Sequence, residues 1–377
     1  MARTELEQLL RATIEAEGPL PFDRYMEMAL YEPGLGYYAR GPERSDWTGD
    51  FITAPQLDPA YGELWAAGIE QLWRAAGEPA SFGVIEIGPG EGGFARSVLD
   101  ALPGDGRFHY TLVERLPALA ARQRELLRSQ ERVEWVSDLA AAPKLPHGVV
   151  IANEVLDNLP VKLVTRTPDG LREKHVIVED GALGFAEVPP GNATVRCMSR
   201  SDLAPIEGGC VEVPVRTEAF VRGALAHVET GAALFIDYGA EGRILSERPA
   251  GTLACYSPRG LDDDPLQEPG SKDITAHANW SLVRRAIEDE GATALGPLPQ
   301  SEVLRSLGLG TIDGRLRGEY DDALAAGRGA DAVRALSRRQ ALGALTARGG
   351  LGGFEVMAAL KGVEPPPFLA PEMPEGR

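Results

Sequence analysis

Two groups of residues have the types and spacing to do chemistry. The first is Glu86-Ile-Gly88-Pro-Gly90-Glu91-Gly92-Gly93, which follows the apolar pair Val84-Ile85 and precedes Phe94-Ala-Arg-Ser-Val98-Leu99. A strand, a glycine turn and a helix start make a cradle for a nucleotide-like ligand. Glycine accepts φ > 0, the bare backbone lets a ligand approach, and the first helical turn offers unpaired N–H groups. The same pattern also serves as a plain tight turn. The second group is Asn153-Glu154-Val-Leu-Asp157-Asn158-Leu-Pro160, which follows the run Val149-Val-Ile-Ala152. It sets an amide and two carboxylates at the end of a buried strand, where open α/β sheets bind their ligands. Such carboxylates suit a nitrogen nucleophile, because they hold a guanidinium or ammonium and orient a lone pair. For Asp157, capping a short turn before Pro160 is the competing role.

Gly88-x-Gly90-x-x-Gly93 matches the dinucleotide fingerprint, and Glu114 ends the next apolar run roughly 20 residues on. An acid there accepts from both ribose hydroxyls. NAD and S-adenosylmethionine share that ribose, so Glu114 leaves both open. Glu86 separates them. A carboxylate at the mouth of the turn repels a pyrophosphate but attracts the ammonium and sulfonium of S-adenosylmethionine. At an effective dielectric constant of ~20 and a separation of ~4 Å, one such like or opposite charge is worth about 4 kcal/mol before desolvation. The Glu-x-Gly-x-Gly spacing therefore favours S-adenosylmethionine.

The elements that must position these groups can be read from periodicity. Residues 1–80 read as an N-terminal helical lobe, with one stripe at Leu6, Leu9, Leu10 and Ile14 and another at Leu64, Trp65, Ile69, Leu72 and Trp73. From residue 81 strands alternate with helices: strands at 84–87, 109–114, 133–136, 148–153 and 232–236, with helices at 93–102, 117–129 and 217–229. That alternation predicts an α/β fold with a doubly wound parallel sheet. Residues 161–188 break it with short strands and Asp-Gly turns, predicting a β-insertion within 161–215. Residues 241–275, rich in Gly, Pro and Asp, read as a long loop. Helices follow at 276–290 and within an insertion at 296–345, with a late strand at 354–360 closing a domain that ends near 362. The proline-rich tail 363–377 reads as disordered.

Composition narrows the function. The chain has 377 residues, 44% hydrophobic and 25% charged, ordinary values for a globular protein. A net charge of −18 with scattered basic residues argues against nucleic acid as a partner. The basic stretch Arg122-Gln-Arg-Glu-Leu-Leu-Arg128 reads as a solvated helix face. No apolar run approaches the ~18 residues of a membrane span. The opening residues read as an amphipathic helix with a Thr4-x-x-Glu7 capping box rather than a secretion signal, and its acids make a poor organelle presequence. The expected location is the cytoplasm. Three scattered cysteines and five scattered histidines give no metal-ligand spacing, and no Gly-x-Ser-x-Gly or Gly-Lys-Ser/Thr motif is present.

Taken together, the sequence resembles the MidA-like S-adenosylmethionine-dependent methyltransferases, which include a mitochondrial complex I assembly factor that methylates an arginine. The resemblance is carried by Gly49-Asp-Phe-Ile-Thr-Ala-Pro55, Glu86-Ile-Gly-Pro-Gly90, Leu112-Val-Glu-Arg115, Ile151-Ala-Asn-Glu154 with Asp157-Asn-Leu-Pro-Val161, Phe235-Ile-Asp-Tyr-Gly239, Asp273-Ile-Thr-Ala-His277 and Gly353-Phe-Glu-Val-Met357, in that order. It implies a class I methyltransferase (Rossmann-like) sheet with added lobes, Glu86, Gly88, Gly90 and Glu114 on the cofactor, and a protein substrate. Asn153 and Asp138 join the expected cofactor set, Asp138 near the adenine. Glu154, Asp157 and Asp50 are expected to hold the acceptor. The chain departs from the family at Gly90-Glu-Gly-Gly93, Ala54-Pro-Gln56 and Asn279-Trp280. The expected reaction is methyl transfer by in-line displacement, which is mostly a matter of alignment. The competing readings are a small-molecule N- or O-methyltransferase and a non-catalytic assembly factor.

Overall fold

The computed structural model describes residues 4–39, 54–257, 260–262, 264–347 and 350–370. Its central element is a seven-stranded sheet built from β1 (Phe82–Ile87), β2 (Phe108–Val113), β3 (Val133–Val136), β4 (Leu145–Asn153), β5 (Val228–Asp237), β6 (Thr293–Pro299) and β7 (Glu355–Lys361). The spatial order is β6-β7-β5-β4-β1-β2-β3. Strands β1 to β5 are parallel, and β7 runs antiparallel between β5 and β6. The strand order reverses between β1 and β4, the switch point at which open α/β sheets bind ligands. Both chemical groups named above end strands at that point.

These strands are nearly continuous apolar runs because both faces of the sheet are covered. Val84, Tyr110, Val149, Ile151 and Leu234 pack on one side with Tyr61, Leu64, Trp65 and Ile69 of the helix Ala60–Ala75. Ile85, Val150, Ala152 and Phe235 pack on the other with Val221 and Leu225 of the helix Thr217–Leu225. Alternation along β1 puts Glu86 on the Val84 side, facing Tyr110.

The N-terminal helices divide between two cores. The helix Ala60–Ala75 belongs to the main sheet, whereas Glu5–Glu17 and Phe22–Tyr31 pack on the β-insertion. Leu6, Leu10, Phe22, Tyr25 and Met26 share a core with Leu163, Val176, Cys255 and Ile274. The two-residue strand Leu20–Pro21 pairs with the long strand Gly170–Glu179, which also pairs with Lys162–Thr167 and Ala182–Val188. An amphipathic stripe buries itself against whichever apolar face closes on it, so residues 1–80 do not form one lobe.

Three other regions differ from the sequence reading. Within 241–275 there is a helix at Gly242–Ser246 and a three-stranded sheet of Ala254–Ser257, Gly260–Asp262 and Asp273–Thr275. Strand β6 was not expected. Gly296 and Pro297 interrupt its pattern, and the edge position tolerates the resulting register shift between Leu295 and Leu298. The stretch 363–370, expected to be disordered, is packed: Phe368 is fully buried, its ring 6.3 Å from and edge-on to that of Trp65. The remainder of the tail, 371–377, lies outside the described residues. Between β6 and β7 lie the helices Gln300–Ser306, Leu309–Ala325 and Gly329–Thr346.

Candidate active site

The glycine turn forms as its composition requires. Gly88 (φ 66°) and Gly90 (φ 54°) both occupy the left-handed region between β1 and the helix Gly93–Ala101. A Cβ on Gly88 would lie 2.9 Å from Val155 Cγ2, whereas one on Gly90 would meet nothing within 4 Å. The turn is therefore packed from below at Gly88 and open at Gly90.

Glu86 lies under this turn and is 3% exposed. Its Oε2 accepts a 2.7 Å hydrogen bond from Tyr110. Burial pushes its pKa up to about 8, against the pull of that hydrogen bond. Glu114, at the end of β2, accepts from the Leu116 backbone N–H at 2.8 Å and from Gln123 Nε2 at 3.0 Å. Burial raises its pKa as well, and those two donors and Arg115 oppose the rise. Asp138, at the end of β3, is exposed and caps a turn by accepting from the Ala140 N–H at 2.7 Å.

The end of β4 holds the other group. Tyr61 Oη lies 2.7 Å from Asn153 Oδ1, and Asn153 Nδ2 donates to Glu154 Oε1 at 3.1 Å. That oxygen also accepts from the Ala54 N–H at 3.2 Å, which brings the N-terminal chain to the sheet edge. Glu154 itself has φ 55°, unusual for a residue with a side chain. Its carboxyl is pushed up to about 8 by burial and by the nearby Asp157. Asp157 Oδ2 accepts from Tyr238 at 2.7 Å, and its Oδ1 is buried with no hydrogen-bond partner among the described residues. Burial and the charges of Asp237 and Asp273 raise its pKa well above the carboxylate range.

Sequence reasoning missed several neighbours of this group. Asp237, at the end of β5, accepts from the N–H groups of Asp157 (3.1 Å) and Tyr238 (2.9 Å) and is pushed by burial up to about 8. Asn158 Nδ2 donates to Asp273 Oδ1 at 3.0 Å, and Tyr38 Oη lies 2.7 Å from Asp273 Oδ2. Tyr38 stacks on Tyr31 with ring centroids 5.6 Å apart, and Tyr238 stands 5.0 Å from the His277 ring. An acid closing the apolar run Leu234-Phe-Ile236 was a readable signal for Asp237, of the same kind that marked Glu154. Asp50 lies outside the described residues. Among the described residues no His, Cys, Asp or Glu cluster could hold a metal, and no helix is long and apolar enough to cross a membrane.

The ends of β1 to β5 thus carry a glycine turn flanked by two buried acids, beside a cluster of acids and tyrosines. Residues 64–298 match the family model of S-adenosyl-L-methionine-dependent methyltransferases. The chain belongs to this family. A superfamily relative from Burkholderia thailandensis, whose crystal structure holds S-adenosyl-homocysteine, is 33% identical with a TM-score of 0.82, covering 97% of this chain and 94% of that one. Among curated proteins, the mitochondrial protein arginine methyltransferase NDUFAF7 homolog of Drosophila melanogaster is 31% identical over 338 residues, 80% of this chain and 74% of that protein. The Homo sapiens protein arginine methyltransferase NDUFAF7 is 29% identical over 340 residues, 81% and 73% of the two chains.

The sheet is accordingly that of a class I methyltransferase, and the cofactor is S-adenosyl-L-methionine. The residues present fit it: the turn is open at Gly90, and the buried acids beside it favour a cationic ligand over a pyrophosphate.

Proposed function

We propose that this methyltransferase acts on a cationic side-chain nitrogen of a protein, with arginine the preferred acceptor. The observation that carries this reading is the set of carboxyl groups at the ends of β4 and β5, where Asp157 keeps a buried Oδ1 with no hydrogen-bond partner among the described residues. Buried carboxyls of raised pKa ionise when a cation enters, and an unpaired acceptor there stands ready for an N–H donor. The named activity of the NDUFAF7 relatives points the same way.

The bound cofactor supplies an electrophilic methyl group on its sulfonium. Glu86 takes the cofactor's ammonium end, Gly88 and Gly90 let its chain pass close to the backbone, and Glu114 accepts from the ribose hydroxyls. Asn153 orients Glu154 through its amide, and Asp138, beyond its capping bond, borders the adenine side. Glu154 and Asp157 hold the N–H groups of the acceptor so that one nitrogen lone pair faces the methyl carbon. Forming the N–C bond would break the bond from sulfur to that methyl and leave S-adenosyl-homocysteine, and the acceptor nitrogen would give up a proton to Asp157 or Glu154. For Glu154 a pKa of about 8 suits a base working near neutrality. Asp50 is assigned to the acceptor on its sequence position alone.

The test is incubation of the full chain with methyl-labelled cofactor, once with host proteome and once with a metabolite extract, read by mass spectrometry. Label on arginine of a protein is expected. Label confined to small molecules would overturn the protein acceptor.

A further inference from the structure

We infer that Gln123 is a positioning residue for the cofactor, locking the ribose-binding carboxylate of Glu114 to the glycine turn. The inference rests on the assignment of Glu114 to the ribose made above. Gln123 lies on the helix Pro117–Leu126, within the stretch whose composition reads as a solvated face, yet it is 0% exposed. Every polar atom of its amide is used. Nε2 donates to the Gly90 carbonyl at 2.7 Å and to Glu114 Oε2 at 3.0 Å, and Oε1 accepts from Trp135 Nε1 at 3.1 Å.

The orientation of this amide is fixed by chemistry. An indole N–H only donates, so it must face the amide oxygen, and the NH2 must then face the carbonyl and the carboxylate. Strand β3, through Trp135, thereby sets the spacing between the turn after β1 and the acid at the end of β2. Glu114 needs its charge to accept from two hydroxyls. The groups around it are the Leu116 N–H, Gln123 and Arg115, which favour the charge, and Glu91, which opposes it along with burial; Glu86, whose own pKa Glu114 raises, lies nearby. Glu91 is itself paired with Arg122 at 2.7 Å. Gln123 is thus one of only a few groups favouring the charge, and it is the one that also holds the turn.

The experiment is calorimetric titration of the full chain with S-adenosyl-homocysteine at about pH 6 and about pH 8. It uses Gln123→Met, which keeps the volume, together with Gln123→Glu, Glu114→Gln and the Gln123→Met/Glu114→Gln double variant. Gln123→Met is expected to weaken binding roughly tenfold to hundredfold, the range for losing a hydrogen bond to a charged group. The loss should be larger at the lower pH, because Glu114 then titrates higher. Gln123→Glu should show the opposite trend, binding worst at the higher pH where two carboxylates face each other. The double variant should lose little beyond Glu114→Gln alone. A Gln123→Met loss that is equal at both pH values and additive with Glu114→Gln would reduce Gln123 to packing and overturn the inference. Should Gln123→Met fail to fold, a pH-independent Gln123→Glu overturns it equally. Unchanged binding by Glu114→Gln overturns instead the ribose assignment beneath it.

Discussion

Tyr110, on β2, donates a 2.7 Å hydrogen bond across the sheet to Glu86 Oε2, the acid that ends β1 beneath the glycine turn. This pair holds an acid of raised pKa where the cofactor's cationic end is assigned, so binding and ionisation are linked.

The linkage has a definite sign. Glu86, Glu154 and Asp237 all have folded pKa values of about 8, above the ~4 of an unfolded carboxyl. Their contribution to stability is complete below the unfolded value and is lost as pH rises through about 8. The cofactor-free protein should therefore melt at lower temperature at pH ~9 than at pH ~6. Cofactor binding near neutrality should release protons, measurable by calorimetry in buffers of different ionisation enthalpy. A melting temperature flat across that window, with no proton release, would contradict the buried-acid reading.

On the acceptor side, Asp157→Asn should lower kcat by roughly 10²- to 10⁴-fold, the usual worth of a positioned acid or base. Affinity for S-adenosyl-homocysteine should stay near that of the parent, since Asp157 is assigned to the acceptor. Tyr238→Phe, which removes only the donor to Asp157 Oδ2, should cost less. Steady-state kinetics beside a cofactor titration separates the two effects, and a large fall in cofactor affinity would reassign Asp157.

The two turn glycines should respond differently to alanine. Gly88→Ala combines a left-handed φ with a contact 2.9 Å from Val155, and about 1–3 kcal/mol of folding stability should be lost. Gly90→Ala adds strain of about 1–2 kcal/mol but meets no neighbour. Its methyl group would instead occupy the open side of the turn, so cofactor affinity should fall more than the backbone strain accounts for. Urea denaturation and cofactor titration of both variants check this, and equal affinity loss in the two would defeat it.

Phe368→Ala should cost about 3–5 kcal/mol, as for a large aromatic removed from a core. The ring is fully buried beside Trp65, so tryptophan fluorescence should follow the change in a denaturation series. A cost under about 1 kcal/mol would mean that the segment is only loosely attached.

Much of the geometry of the candidate site was legible because its signals are local. Val84-Ile85, Leu112-Val113 and Val149-Val-Ile151 are short apolar, mostly β-branched runs that read as buried strands. The residues that follow such strands in a parallel sheet fall at one edge. Glu86, Gly88, Gly90, Glu114, Asn153 and Glu154 were therefore readable as neighbours. Gln123 was not, because a glutamine between two arginines looks solvent-facing until Trp135 and Gly90 close around it. Asp273 and Tyr38 were not linked to Asn158 because their partners lie 115 and 120 residues away in sequence. The strands within 254–275 were hidden for a related reason. Their hydrogen bonds join segments separated by a Gly-, Pro- and Asp-rich loop, and no local periodicity records that pairing.

By itself, then, the sequence determined the layered α/β architecture, the glycine turn and the identity of the acids at the strand ends. Each depends on periodicity, backbone freedom or charge within a few neighbouring residues. Only the tertiary structure decided which acids cluster together, that the first two helices pack on the β-insertion, and that Gln123 is buried. It also decided which carboxyls hold protons near neutrality. A pKa depends on every group that excludes water from the site, and those groups come from strands and helices far apart in the chain.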